Sequence, residues 1–527
     1  MAGSVAAELK VVSKHSSIYG LANLLNRGVS LLLLPLYTHY LSPADYGTLS
    51  LLYFTTAFIG MIVDMGIGAA MSRFYFDSDE QSERNLAVSS AMYGFGVGSG
   101  VLILFFISIS GFLSDLVFRA TSQMNFVILF LSKLSGATPV PLPQNYTGLL
   151  ILSLVGLALD IFINVSYNYL RIRQRSIRLT AVALSRLVMQ IGLNVLFIVG
   201  LGWGVAGILT SSVIANTVLV SYLVPSTIRE VGGRFSWPKL KAMITYGLPL
   251  IPSNILAYIV NVSDRFFVNA YVGLSQTGLY SLGYRFGVLV NEFVSSPFAQ
   301  IWLPRRFEMF QKEGSERIFS RIFTYFCAAM FFAGLGISVA TKDIIRIMSE
   351  KAFWDAYLVV PVLVLSYVVS SFQMHFNVGI LFKKKTKYLM YINFVSGGVN
   401  IALNFLMISR WGMWGAAWAT LICFVIKVAM IFVVGNRLVK IAIEWLRVFK
   451  VVIVATALYA LISLIETGLP VLNLTIKCTA CFAYPFALYA IKFFEPGELE
   501  KGWALARPYL GKVIPRFREQ ASDKLQE

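Results

Sequence analysis

Nine charged residues stand inside stretches otherwise fit for hydrocarbon: Arg27, Asp64, Asp160, Arg186, Asp264, Arg265, Arg285, Glu292 and Lys427. At a bilayer centre each costs about 2.5–3.5 kcal/mol on insertion scales, so it must face protein or water. Helical spacing gathers several of them into polar stripes. Tyr19, Asn23 and Arg27 step by four; Asn254, Tyr258, Asn261 and Arg265 step by four, three and four. Ser281, Arg285, Glu292 and Ser296 form a third stripe, and Thr56, Gly60 and Asp64 a fourth. A cavity walled by these stripes would hold three arginines against two carboxylates, Asp64 and Glu292. Surplus guanidinium needs an anion, and its planar fork suits the oxygens of a diphosphate. Asp264 lies about 100° around the helix from Arg265 and is expected to pair with another helix instead. Arg186, Gln190 and Asn194 make a further stripe, read as polar packing between helices. Asp160, with Asn164 and Asn168, joins Asp64 and Glu292 as a carboxylate able to carry a proton or sodium ion.

The elements that must position these groups are membrane helices. Of 527 residues 57% are hydrophobic and 13% charged, with a mean hydropathy of +0.72, against about 25% charged in soluble domains. Apolar runs near 20 residues recur along the chain, long enough to span a bilayer and too uniformly apolar for barrel strands. The fold class is all-α and polytopic. Fourteen spans are expected near 16-40, 46-70, 86-112, 147-171, 178-200, 204-226, 243-272, 276-302, 319-341, 356-382, 388-409, 411-435, 446-466 and 471-494. The apolar stretch 126-136 is too short and falls in a loop over 113-146. Pro249 and Pro252 in "GLPLIPSN" predict a kink beside the polar face of the seventh span.

With both termini on one side, 32 of the 44 lysines and arginines fall on that side, seven on the other and five within spans. By the positive-inside rule the basic side is cytoplasmic. The net charge of +18 thus reflects topology, and no nucleic-acid partner is expected. The chain also repeats. "RQRS" at 173-176 and "KKKT" at 383-386 stand 210 residues apart, and "GWGVAG" at 202-207 and "RWGMWG" at 410-415 stand 208 apart. "YLSPADYG" at 40-47 faces "VGLSQTGLYS" at 272-281. The expected organisation is a first lobe over 1-230, a second over 231-440, a hairpin over 441-494 and a tail over 495-527. Two halves of six spans each enter the membrane alike, so their symmetry axis runs along the membrane normal, as in alternating-access transporters.

Other motifs carry little chemistry. "GFGVGSG" at 94-100 lies within a span, where Gly94 and Gly98 serve close helix packing. The "CTAC" at 478-481 has no second pair and the three histidines are scattered, so neither a metal site nor a cofactor is expected. No cleavable signal pattern opens the chain. The loop at 113-146 offers Asp115, Arg119 and Lys133 without His, Cys or Glu, which argues against a membrane-bound polymerase or ligase. The arginines argue against an exporter of organic cations.

"SIYGLANLLNRGVSLLLLPLYTHYLSPADYGTLSL" at 17-51, "YGLPLIPSNILAYIVNVSDRFFVNAYVGLSQTGLYSLGYRFG" at 246-287 and "WGMWGAAWAT" at 411-420 resemble the Wzx-type oligosaccharide flippases of the polysaccharide transporter family. The resemblance implies two six-helix lobes around a central cavity, with two extra helices alongside. It implies undecaprenyl-pyrophosphate-linked oligosaccharide as cargo, moved across a bacterial inner membrane, with membrane lipids and other polysaccharide-assembly proteins as partners. By the same likeness Arg27, Arg265 and Arg285 match cationic cavity positions.

Overall fold

A computed structural model describes residues 33–119, 145–310, 315–440, 442–495 and 497–498. Helices account for its regular structure, with no strand among the described residues. The first half holds α1 (Leu34–Tyr40), α2 (Pro43–Val63), α3 (Ile67–Tyr75), α4 (Gln81–Ser108), α5 (Tyr146–Ile172), α6 (Ser176–Asn194) and α7 (Gly204–Val231). A connector, α8 (Trp237–Gly247), leads to α9 (Ile251–Val272), α10 (Leu274–Val290), α11 (Ser296–Phe310), α12 (Ser315–Met348), α13 (Val360–Ser371) and the long α14 (Lys387–Leu438). A final hairpin comprises α15 (Trp445–Ser463), α16 (Pro470–Cys481) and α17 (Ala483–Ala490).

Ten helical stretches are long and apolar enough to cross a membrane. One of them, α14, is two spans merged across a kink at Gly412. The polar residues of α9, and of α10 with α11, keep those helices below the same hydropathy mark, although they occupy the seventh and eighth expected spans. Most of the first expected span lies outside the described residues, as does the 126-136 stretch.

Local signals explain the boundaries. Ser42 caps α2 through a reciprocal bond with Asp45, and Pro43 takes the first turn, where its missing N–H costs nothing. The expected kink is a single 3-10 turn at Leu248–Leu250 between α8 and α9. The repeat is visible in the backbone itself. Gln174 and Lys384, 210 apart, both adopt left-handed φ, 54° and 55°, while Gly204 and Gly412, 208 apart, both have φ 53°. Asn194 and Asn404 occupy the same depth in the two halves, each fully buried.

The two halves share one core as well as having their own. Leu34 of α1 and Tyr46 of α2 pack into the second half's cluster with Tyr280, Phe286, Phe353 and Leu363. The connector α8 belongs by sequence to the second half but packs on the first. Its Leu240 fills the space over Gly94, where any Cβ would collide with it. Lys239 donates to the Glu83 carbonyl at 2.9 Å and pairs with its carboxylate at 2.5 Å. Gly98 meets nothing within 4 Å of its missing Cβ, so it has no part in this packing and the sequence expectation for it is corrected.

The terminal hairpin is fastened to α12 at both membrane faces. At one face, Lys477 and Asp343 form an ion pair at 2.7 Å with both side chains 2% exposed or less. At the basic face, Arg447 lies over the Phe493 ring and pairs with Glu444 at 3.0 Å and Glu498 at 2.8 Å, while Arg321 reaches Glu495 at 2.5 Å. Lys477→Ala leaves Asp343 as an uncompensated buried charge and is expected to cost about 3–5 kcal/mol. Arg321→Ala removes a half-exposed pair and should cost under about 1 kcal/mol. Thermal unfolding of the two purified variants checks the contrast; equal shifts would contradict it.

Candidate functional site

The halves meet most closely where α2 crosses α10. A Cβ on Gly47 would overlap the carbonyl oxygen of Leu274 and lie 3.0 Å from the Gly278 nitrogen. A Cβ on Gly278 would overlap the carbonyl oxygen of Pro43 and lie 3.0 Å from the Gly47 nitrogen. Backbone therefore lies on backbone, which glycine alone permits. The same face is tied by Thr38 donating to the Met348 carbonyl at 3.1 Å, by a His39–Glu350 pair at 2.6 Å and by Asn269 donating to the Val117 carbonyl at 2.8 Å. All three bonds join opposite halves. This face, away from the basic loops, is closed.

Beneath the crossing lies a cavity of about 330 Å³ between the halves. Tyr37, Tyr46, Ser50 and Tyr53 line it from α1 and α2, Gln190 from α6, and Arg285 from α10 across the seam. Arg285 donates to the Tyr46 hydroxyl at 3.3 Å, and Asn194 donates to the Tyr37 hydroxyl at 2.8 Å. The wall thus offers hydroxyls, an amide and one guanidinium, which can hold a polar, anionic guest.

The structure corrects the reading of "YIVNVSDRFFVNAY". Asp264 does reach another helix, through Tyr280 of α10, but it also pairs with its own neighbour, which was not expected. Its Oδ1 accepts from the Arg265 backbone N–H at 3.0 Å and from Nη1 at 2.7 Å, and its Oδ2 accepts from the Tyr280 hydroxyl at 2.5 Å. Arg265 also donates to the Asn261 carbonyl at 2.8 Å. Its guanidinium stacks 3.6 Å from the Tyr284 ring centre and 4.5 Å from that of Phe54. Both charged residues are buried, 2% and 1% exposed. Helical-wheel spacing follows Cβ directions, whereas the long arginine stem folds back over the neighbouring residue. A cation between aromatic faces, paired to a carboxylate, meets the requirement for burial without a guest.

The other candidates fall into four groups. Arg27 and Asn23 lie outside the described residues. Asn254, in the first turn of α9, and Asn261 are exposed, and the Asn261 carbonyl also accepts from the Tyr284 hydroxyl at 3.1 Å. Asp64 and Glu292, both half-buried, sit at matching breaks. Asp64 ends α2 just before Met65 and Gly66, whose φ values are 45° and 71°. Glu292 lies in a π-turn at Asn291–Ser295 that separates α10 from α11. Asp64 and Ser295 follow Gly47 and Gly278 by the same number of residues, so the two gating helices bend at one depth. Such breaks are where helices pivot. Asp160 and Arg186, separated in the sequence reading, form an ion pair at 2.7 Å. Gly47 and Gly278 were the residues that sequence reasoning missed, though aligning "YLSPADYG" on "VGLSQTGLYS" sets one above the other.

A family model described as polysaccharide biosynthesis protein matches residues 12–310. No curated protein matches the chain. Among solved structures the chain is similar to the lipid II flippase MurJ in its inward closed conformation, with a TM-score of 0.70 at 14% identity over 89% of this chain and 98% of that one. It is also similar to a multidrug resistance MATE family transporter of the MOP superfamily in an inward-facing conformation, with a TM-score of 0.59 at 15% identity over 80% and 94%. At such identities these likenesses establish the fold, that of a polytopic helical membrane protein.

Proposed function

The chain belongs to the polysaccharide biosynthesis protein family, and on that footing we propose that it is a flippase for undecaprenyl-pyrophosphate-linked oligosaccharide in a bacterial inner membrane. The basic face is cytoplasmic by the positive-inside rule, so the Gly47–Gly278 crossing seals the periplasmic end. Cargo enters the cavity from the cytoplasmic leaflet, its diphosphate held by Arg285 and by Arg27 of the first span, its sugars meeting the tyrosines and Gln190. The lipid tail remains in the bilayer alongside. Separation of the crossing, with bending at Asp64–Gly66 and Asn291–Ser295, then opens the cavity to the periplasm. Asp64, Glu292 and Asp160 are the candidates for proton or sodium coupling. The MurJ likeness supports a lipid-linked cargo, that protein being a lipid II flippase.

The observation that carries this reading is Arg285 in the wall of a polar cavity between the halves. A cavity for organic cations would be served by carboxylates there, and an arginine works against it. Arg285→Ala is expected to lower surface polysaccharide at least about tenfold in a strain lacking its own copy, as the loss of a charge-assisted contact of about 1.5–3 kcal/mol implies. Arg285→Lys should retain part of the export, since it keeps the charge but loses the fork. Normal export by both variants, at wild-type membrane levels, would exclude Arg285 as an anion contact.

A further inference from the structure

We infer that Arg186 is shared between two partners: Asp160 holds it when the central cavity is empty, and the anionic group of the cargo takes it when the cavity is loaded, leaving Asp160 to bind a proton. The inference rests on the lipid-diphosphate reading above and adds to it the residue pair that couples loading to an ion.

Three observations carry it. First, the Asp160–Arg186 pair is less enclosed by protein than the Asp264–Arg265 pair. The side chains are 35% and 25% exposed, against 2% and 1% for Asp264 and Arg265. Exposed pairs are weak and exchange partners readily, and a bidentate guanidinium–phosphate contact outcompetes them.

Second, Arg186 stands on the face of α6 that walls the central cavity. Leu187 beside it and Gln190 one turn on both line that cavity with Arg285. Asn194, a further turn on, holds Tyr37 in the same wall. Rotation about the arginine stem suffices to move the guanidinium from α5 towards the cavity.

Third, Asp160 lines a separate chamber of about 200 Å³ inside the first half, with Thr56, Ser153 and Ser212. Tyr53 borders both chambers and is the partition between them. Arg186 is the cation facing Asp160 among the described residues; Tyr53, Tyr167 and Asn216 face the same group, and Arg171 stands beyond Tyr167. Once Arg186 leaves, Asp160 has lost the cation paired with it and takes up a proton in its place. The proton comes from water in the chamber and returns there when the cargo departs and Arg186 swings back.

The test uses the full chain in lipid nanodiscs with farnesyl pyrophosphate as probe, titrated calorimetrically at pH 6, 7 and 8. Buffers of differing ionisation enthalpy report the protons taken up on binding. The probe's own phosphate titration is common to all variants, so differences between them isolate Asp160. Wild type should take up more protons on binding than Asp160→Asn, by up to about one per bound probe. Asp160→Asn should bind roughly tenfold tighter than wild type at pH 8, its Arg186 being free. Arg186→Gln should bind roughly tenfold weaker and match Asp160→Asn in proton uptake. Equal affinity and proton uptake in wild type and Asp160→Asn, with both single variants losing thermal stability alike, would show a purely structural pair and overturn the inference. Binding that Arg285→Gln abolishes but Asp160→Asn leaves unchanged would overturn the exchange and leave the cargo reading standing. Absence of binding by wild type would overturn both. A wild-type response that follows sodium concentration and not pH would also overturn the assignment of the proton.

Discussion

Gly278→Ala is expected to hold the closed end of the seam apart and to stop the proposed transport. The new methyl group would overlap the Pro43 carbonyl and press on the Gly47 amide. Neither is a side chain that can rotate away, so α2 and α10 must separate. Overpacking of this kind costs about 1–3 kcal/mol, charged only to the closed state, which shifts the balance of states about 5- to 150-fold. Gly47→Ala, which would overlap the Leu274 carbonyl, should act the same way. Gly336→Ala is the control, since nothing lies within 4 Å of its missing Cβ. Spin labels placed at the exposed positions Tyr40 and Lys351, one on each half, would report longer distances in both crossing variants and none of the change in the control. Surface polysaccharide should fall more than about tenfold alongside. An unaltered distance distribution with normal export would show that the crossing is not the gate.

The second large effect is expected at the Asp264–Arg265 pair. Either Asp264→Ala or Arg265→Ala strands a buried charge and should cost about 3–5 kcal/mol, a large share of a protein's usual margin. Both should give little folded protein in detergent. The double variant Asp264→Asn with Arg265→Met removes the charges together. Asparagine's oxygen still accepts from the N–H of residue 265 while its NH2 donates to the Tyr280 hydroxyl oxygen, and methionine still lies against Phe54 and Tyr284. Its thermal unfolding should return most of the way to wild type. A direct anion contact at Arg265 makes the opposite forecast: a stable Arg265→Ala that no longer exports, and a double variant no better than the single one.

What the sequence made legible here followed from period and repetition. Apolar runs placed the spans, and Gln190 of the stripe Arg186–Gln190–Asn194 lines the cavity wall. Pro249 and Pro252 marked a break that the structure has at Leu248–Leu250. The polar packing expected of the stripe is present in the bonds of Arg186 to Asp160 and of Asn194 to Tyr37, but spacing says which face a residue occupies and not what else approaches that face. The pairing of Asp264 with Arg265 was hidden for a related reason: a long side chain folds back past the direction of its Cβ. The glycine crossing was hidden because it joins backbones 231 positions apart in sequence, and a glycine has no side chain to announce its contact.

The reciprocity of that crossing has a consequence for the origin of the chain. Each glycine rests against the carbonyl four residues before the other, and the two are equivalent positions of the repeat. Such mutual contact is what a twofold axis imposes on two identical subunits, residue i meeting j while j meets i. Joining two copies of one subunit end to end would leave a seam of this kind. The halves differ elsewhere, with Arg285 facing the cavity from one side and Gln190 from the other, while the crossing has glycine from both.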